Sequence, residues 1–176
     1  MSATSRATRP ARVKKISEWE MIERLPAVQE AMKILPSNYD FEIPKTLWKI
    51  LSVQAKTVVL QFPEGLLIFS CMISDILHRF TGAEVVILSE VTYGACCVDD
   101  FAAMHIQADL LVHYGHSCLV PVQDTKVKTL YVFVGIRFSV DHLVETVKSN
   151  FEQGSRLALL GTVQFLRSVW VYVLMV

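Results

Sequence analysis

The sequence predicts an α/β domain whose parallel sheet is covered on both faces by helices. Three observations carry that expectation: short apolar runs rich in β-branched residues, helical stretches separating them, and an apolar share of 52% that suits buried parallel strands. Apolar runs joined through helices imply crossover connections.

Residues 1–15 carry Arg6, Arg9, Arg12, Lys14 and Lys15 with nothing to bury, and read as a disordered basic tail. In 16–35, Trp19, Ile22, Leu25, Val28, Met32 and Leu35 recur at three- and four-residue steps, as on a helix interrupted near Pro26. Ser17 with Glu20 resembles a capping box. A second helix is expected from Pro44, with Leu47, Ile50 and Leu51 on one face. Thereafter 57–62 (TVVLQF) reads as a strand, 66–80 as a helix and 84–89 (EVVILS) as a strand. Next come a loop (92–98), a helix (99–107), a strand (109–114) and a polar loop (115–121). A strand at 129–134 (TLYVFV), a helix at 140–151 and a last strand at 156–162 (RLALLGT) complete the pattern. This is a Rossmann-like order, with residues 16–55 as an N-terminal helical extension and 56–152 as the first α/β domain. Residues 153–176 read as the truncated start of a second domain with a divergent apolar tail. The tail is taken as an element missing its neighbour, not as a membrane span.

Seventeen basic residues balance seventeen acidic ones, so no overall field draws the chain to nucleic acid or membrane. Four cysteines without a secretory leader argue for a reducing compartment. The arginine-rich start has the composition of a transit peptide or of an ordinary tail, and the tail is favoured. A cytoplasmic location follows, with which a nuclear pool is compatible.

Chemistry is expected in residues 91–121, which hold three of the four cysteines and three of the five histidines. Both loops there leave the carboxyl ends of strands, where open α/β sheets place ligands. Cys96 and Cys97 are adjacent and point opposite ways on an extended chain, so they do not chelate one metal together. No C-x-x-C or C-x-x-H pair offers the spacing of structural zinc. One of these thiols joining distant ligands would suit an iron–sulfur cluster. Cys71 and Cys97 are expected to be small buried hydrophobes, whereas Cys96 stays open between that role and a ligand's. His113 reads as structural and His116 as the functional histidine, while His78, His105 and His142 read as bland helix residues. The turn Gln61, Phe62, Pro63, Glu64, Gly65 ends a strand and opens a helix, a place for an anion. Glu64 and the lack of a G-x-G-x-x-G or P-loop pattern disfavour phosphates and favour a zwitterion. Asp99 and Asp100 are read as N-cap and first-turn residues.

Four stretches together, PSNYDFEIPKT (36–46), QFPEGLL (61–67), VTYGACCVDD (91–100) and LVHYGHSCLVP (111–121), resemble the first domain of diphthamide synthase catalytic subunits, the 2-(3-amino-3-carboxypropyl)histidine synthase subunit 1 family. The resemblance runs from about residue 16 to 165. It implies the first of three similar α/β domains around a four-iron four-sulfur cluster, with one cysteine from each domain. It also implies an enzyme that cleaves S-adenosylmethionine to a 3-amino-3-carboxypropyl radical and adds that group to a histidine of elongation factor 2. Implied partners are a paralogous subunit 2 and a small reductase supplying electrons. The family's first cluster cysteine falls on Cys96. Gln61, Pro63, Glu64, Gly65, His113, Gly115, His116 and Ser117 fall in segments implied to face S-adenosylmethionine.

The second and third cluster cysteines belong to later family domains, and nothing after Phe165 matches them. Cys71 and Cys118 do not stand in for them. The resemblance therefore implies a truncated product, as an isoform, a fragment or a partial gene model, that is inactive alone. The alternative is a non-catalytic isoform or fragment that binds the paralogous subunit. Independently of any family, a thiol-bearing small-molecule binding domain also fits.

Overall fold

In the computed structural model, residues 17–89, 97–115, 120–166 and 168 are described. The N-terminal stripe forms two short helices, α1 (Glu18–Glu23) and α2 (Pro26–Met32). Pro26 divides them because it serves best at the first turn of a helix, where its missing N–H costs nothing. Ser17 N donates to Glu20 Oε2 at 2.7 Å, the glutamate arm of the expected capping box. Val28 and Leu35 are buried, whereas Leu25, expected on the same stripe, is exposed at the break between the helices.

A two-residue strand, β1 (Tyr39–Asp40), leads into α3 (Ile43–Val53). Ile43, Leu47 and Ile50 are buried, and Leu51 is exposed. Leu51 follows Leu47 by four residues on the same side of the helix, yet in the last turn of α3 it is left exposed. Trp48 Nε1 donates to Glu18 Oε2 at 2.8 Å and ties α1 to α3.

The sheet contains β2 (Thr57–Gln61), β3 (Glu84–Leu88), β4 (Leu110–Tyr114) and β5 (Thr129–Val132), in the order β3-β2-β4-β5 with every pair parallel. Alternate residues of the two central strands feed two cores. Val58, Leu60, Phe62, Leu110, Val112 and Tyr114 pack with α3 and with Ile73 and Leu77 of α4 (Ser70–Thr81). Val59 and Leu111 face the other way, onto Val98 and onto Ala103 of α5 (Asp100–His105). Each such aliphatic side chain contributes about 1.5–3 kcal/mol on full burial.

The expected 66–80 helix begins as a 3₁₀ segment, Glu64–Phe69, and turns α-helical from Ser70. Leu66 N donates to Pro63 O at 2.9 Å, the tighter turn that the chain takes as it leaves Pro63. Beyond the sheet, β6 (Gly135–Ile136) pairs antiparallel with β1 and fastens the N-terminal region to the domain. The helix α6 (Asp141–Asn150) follows and has no fully buried residue.

Two expectations are corrected. Residues 156–162 form no strand, and Leu160 among them is 97% exposed. The run has strand composition, but no neighbouring strand among the described residues offers it a ladder. Cys71 and Cys97 are both exposed rather than buried. Cys71 lies on α4 away from the inward face of Ile73, Ile76 and Leu77. No described helix is long and apolar enough to cross a membrane.

Candidate functional site

Because the four strands are parallel, the turn after β2 and the loop after β4 leave one edge of the sheet. Gln61 and His113 are register partners on β2 and β4 at that edge. Gln61 is 3% exposed and His113 is fully buried, an unusual depth for two polar groups unless both are paired.

They are paired with each other and with the preceding loop. Gln61 Nε2 donates to Cys97 O at 3.1 Å, and Asp99 N donates to Gln61 Oε1 at 3.1 Å. His113 Nδ1 lies 2.9 Å from the same Oε1. The two backbone bonds fix which end of the amide is oxygen, so His113 must carry its proton on Nδ1 and donate it. The histidine ring meets Tyr131 edge-on, with centroids 5.7 Å apart. Tyr131 Oη donates to Val120 O at 3.0 Å, so β5 holds the far end of the second loop as Gln61 holds the far end of the first.

Gly115 closes the edge. Its φ is +86°, and a Cβ there would lie 2.9 Å from both Leu66 Cδ1 and Pro63 Cγ. The loop after β4 therefore presses directly on the turn after β2, which only glycine permits. Gly65, by contrast, meets nothing within 4 Å of such a Cβ. Pro63 is half-buried, and Glu64 and Gly65 are exposed. Asp99 Oδ1 accepts from Ala102 N at 3.0 Å as the N-cap of α5, and Asp100 Oδ2 accepts from Lys126 N at 2.8 Å. Both aspartates are thus structural, as expected.

The structure brings Gln61, Pro63, His113 and Gly115 together. Cys96, His116 and Ser117 lie outside the described residues, as does Cys118. The Cys97 carbonyl, the Asp99 amide and Tyr131 were not legible as parts of this edge, since nothing in their local sequence marks them. Among the described residues no group of three or more His, Cys, Asp and Glu side chains could hold a metal ion.

The sequence matches the family described as "Putative diphthamide synthesis protein" over residues 62–172, well over half of the chain. The chain belongs to this diphthamide synthesis family. Among its relatives, the 2-(3-amino-3-carboxypropyl)histidine synthase subunit 1 of Caenorhabditis elegans is 56% identical over 151 residues, covering 85% of this chain and 38% of that protein. The mouse protein of the same name is 58% identical over 147 residues, covering 82% and 33%. The chain thus spans about a third of the length of these relatives. A crystal structure of Dph2 from Pyrococcus horikoshii with a 4Fe-4S cluster is similar at a TM-score of 0.54 and 32% identity, covering 63% of this chain and 31% of that one. Family membership and the parallel α/β fold agree with the sequence expectations.

Thiolate is the donor that iron–sulfur clusters take, and the described residues of this edge offer one thiol, that of Cys97, and no complete ligand set. Cys97 ends the loop with its carbonyl turned to Gln61 and its side chain exposed. A cluster here would need ligands from beyond the described residues.

Proposed function

We infer that this chain forms the first, cysteine-bearing part of a 3-amino-3-carboxypropyl transferase acting in the first step of diphthamide synthesis. The donor is S-adenosylmethionine, the acceptor is a histidine of elongation factor 2, and the setting is the cytoplasm. The family match across residues 62–172, which includes the loop bearing Cys96, carries this reading. Cys96 is proposed to supply one thiolate to a four-iron four-sulfur cluster. That cluster, when bound, would supply the electron that cleaves S-adenosylmethionine.

The chain's own residues have narrower tasks. Pro63, Glu64 and Gly65 offer a half-exposed rim beside Gly115, with His116 and Ser117 on the loop that follows, for the zwitterionic part of S-adenosylmethionine. Gln61 and His113 are buried behind that rim, and Gln61 Nε2, Gln61 Oε1 and His113 Nδ1 are engaged within the fold. They are accordingly support for the site rather than contacts to substrate. The paralogous subunit 2 and a small reductase are the proposed partners. One thiolate cannot hold a cluster, so the activity needs ligands besides Cys96.

A graft tests this reading. The matched 151 residues of the Caenorhabditis elegans relative would be replaced by their counterparts here, and labelled group transfer to elongation factor 2 followed with subunit 2 and reductase present. Transfer should persist in the graft and fall to background in Cys96→Ala. Transfer that survives Cys96→Ala, or a graft that fails beside an active parent, would contradict the assignment.

A second reading is a non-catalytic binder of the paralogous subunit. Exposure of Leu157, Leu160, Val163 and Leu166 favours it. Co-purification of the 176-residue chain with subunit 2, lost on changing Leu160→Asp, would be its signature.

A further inference from the structure

We propose that Gln61 is a positioning residue that clamps Cys97 and Asp99, the residues that follow Cys96 in the sequence, to the sheet edge. The proposal rests on the assignment of Cys96 as a ligand only for its consequence, not for its geometry.

Three bonds converge on one buried amide. Nε2 holds Cys97 O at 3.1 Å, one residue beyond Cys96, and Oε1 receives Asp99 N at 3.1 Å and His113 Nδ1 at 2.9 Å. Cys97 and Asp99 are two residues apart, so the clamp grips both sides of Val98, whose side chain is itself buried against Val59 and Leu111. Donor and acceptor are both required. A carboxylate would set an oxygen against Cys97 O, and an aliphatic side chain would leave three polar groups unpaired. His113 in turn presses the amide from β4, so its Nδ1–H orients the clamp rather than serving as an acid or base. A backbone held this way next to a ligand position plays the part that supporting groups behind metal ligands commonly play.

The test uses the full 176-residue chain and measures amide exchange. In the unsubstituted chain, the Gln61 side-chain NH₂ and the Asp99 N–H should both be protected; exchange of either at the rate of an open chain would overturn the proposal. Gln61→Met keeps the length and apolar body of the side chain. It should speed exchange at Asp99 roughly tenfold or more, the factor set by loss of a bond of ordinary net strength. Val59, Leu60 and Val112 should keep their rates. An unchanged Asp99, or equal acceleration at all four positions, would overturn the clamp.

The consequence for metal is read separately in the grafted relative, as the lifetime of bound iron under chelator. Gln61→Met should shorten that lifetime several-fold while Cys96→Ala removes the iron. Iron retained in Cys96→Ala would sink the ligand assignment and leave the exchange result standing. An iron lifetime unchanged by Gln61→Met, with iron lost in Cys96→Ala, would overturn the clamp's role at the ligand loop.

Discussion

His113 and Gln61 face one another across neighbouring parallel strands, and the imidazole Nδ1–H donates to the glutamine Oε1 at 2.9 Å. Replacing His113 with leucine removes one of two donors to that oxygen and leaves Asp99 N as the other. We expect a loss of about 1–3 kcal/mol in urea unfolding. A neutral result would show that the edge does not depend on this bond.

Gly115 occupies a left-handed backbone position with Pro63 and Leu66 already at the distance of closest approach. Alanine there must strain both the backbone and the turn. Gly115→Ala should cost about 1–3 kcal/mol, and Gly65→Ala, which meets open space, should be close to neutral. Reversal of that order in thermal melts would contradict the packing described.

Tyr114 stacks on Phe62 at 4.4 Å between centroids, with both rings fully buried. Burial pushes its phenol well above the ordinary value of 10.0, and Thr46 draws it back part of the way. The Thr46 hydroxyl acts as a hydrogen-bonding neighbour that falls short of full geometry, since the Tyr114 hydroxyl has no partner at hydrogen-bond distance and angle. The folded state thus holds the proton more tightly than the unfolded state does. Stability is full below the unfolded value and falls as pH rises beyond it. Tyr114→Phe should be near neutral or slightly stabilising at pH 7 and should flatten the alkaline decline. A large loss at pH 7 would reveal a hydrogen bond that the geometry lacks.

Asp109 caps the start of β2, its Oδ2 accepting from Lys56 N at 2.7 Å and Thr57 N at 3.1 Å. The Thr57 bond first, then the Lys56 bond, holds its carboxyl below the usual range. The sign is opposite to that of Tyr114. The contribution is present above the unfolded value of 3.8 and is lost as pH falls through the lowered one. Asp109→Asn should lower the melting temperature at pH 7 and narrow its gap from the parent as pH drops below 4. A gap that stays constant with pH would remove the charge from the explanation.

The sheet was legible because buried parallel strands leave continuous apolar runs, as in Val58, Val59 and Leu60. The same signal misled at 156–162, since composition announces a strand but does not supply its neighbour. Cysteine burial was misjudged because the apolar character of a helix does not say which face Cys71 occupies. The site edge was located by the strand ends, yet the role of Gln61 was not, because its partners lie 36, 38 and 52 residues away in sequence. Only the fold brings them to one amide.

Cys96, rather than its exposed neighbour Cys97, is proposed as this chain's ligand to iron. Anaerobic iron–sulfur reconstitution of the grafted relative, with iron counting and visible absorption, tests it most directly. A full cluster is expected in the graft and in Cys97→Ala, and loss of both iron and absorption in Cys96→Ala. A full cluster in Cys96→Ala would contradict it.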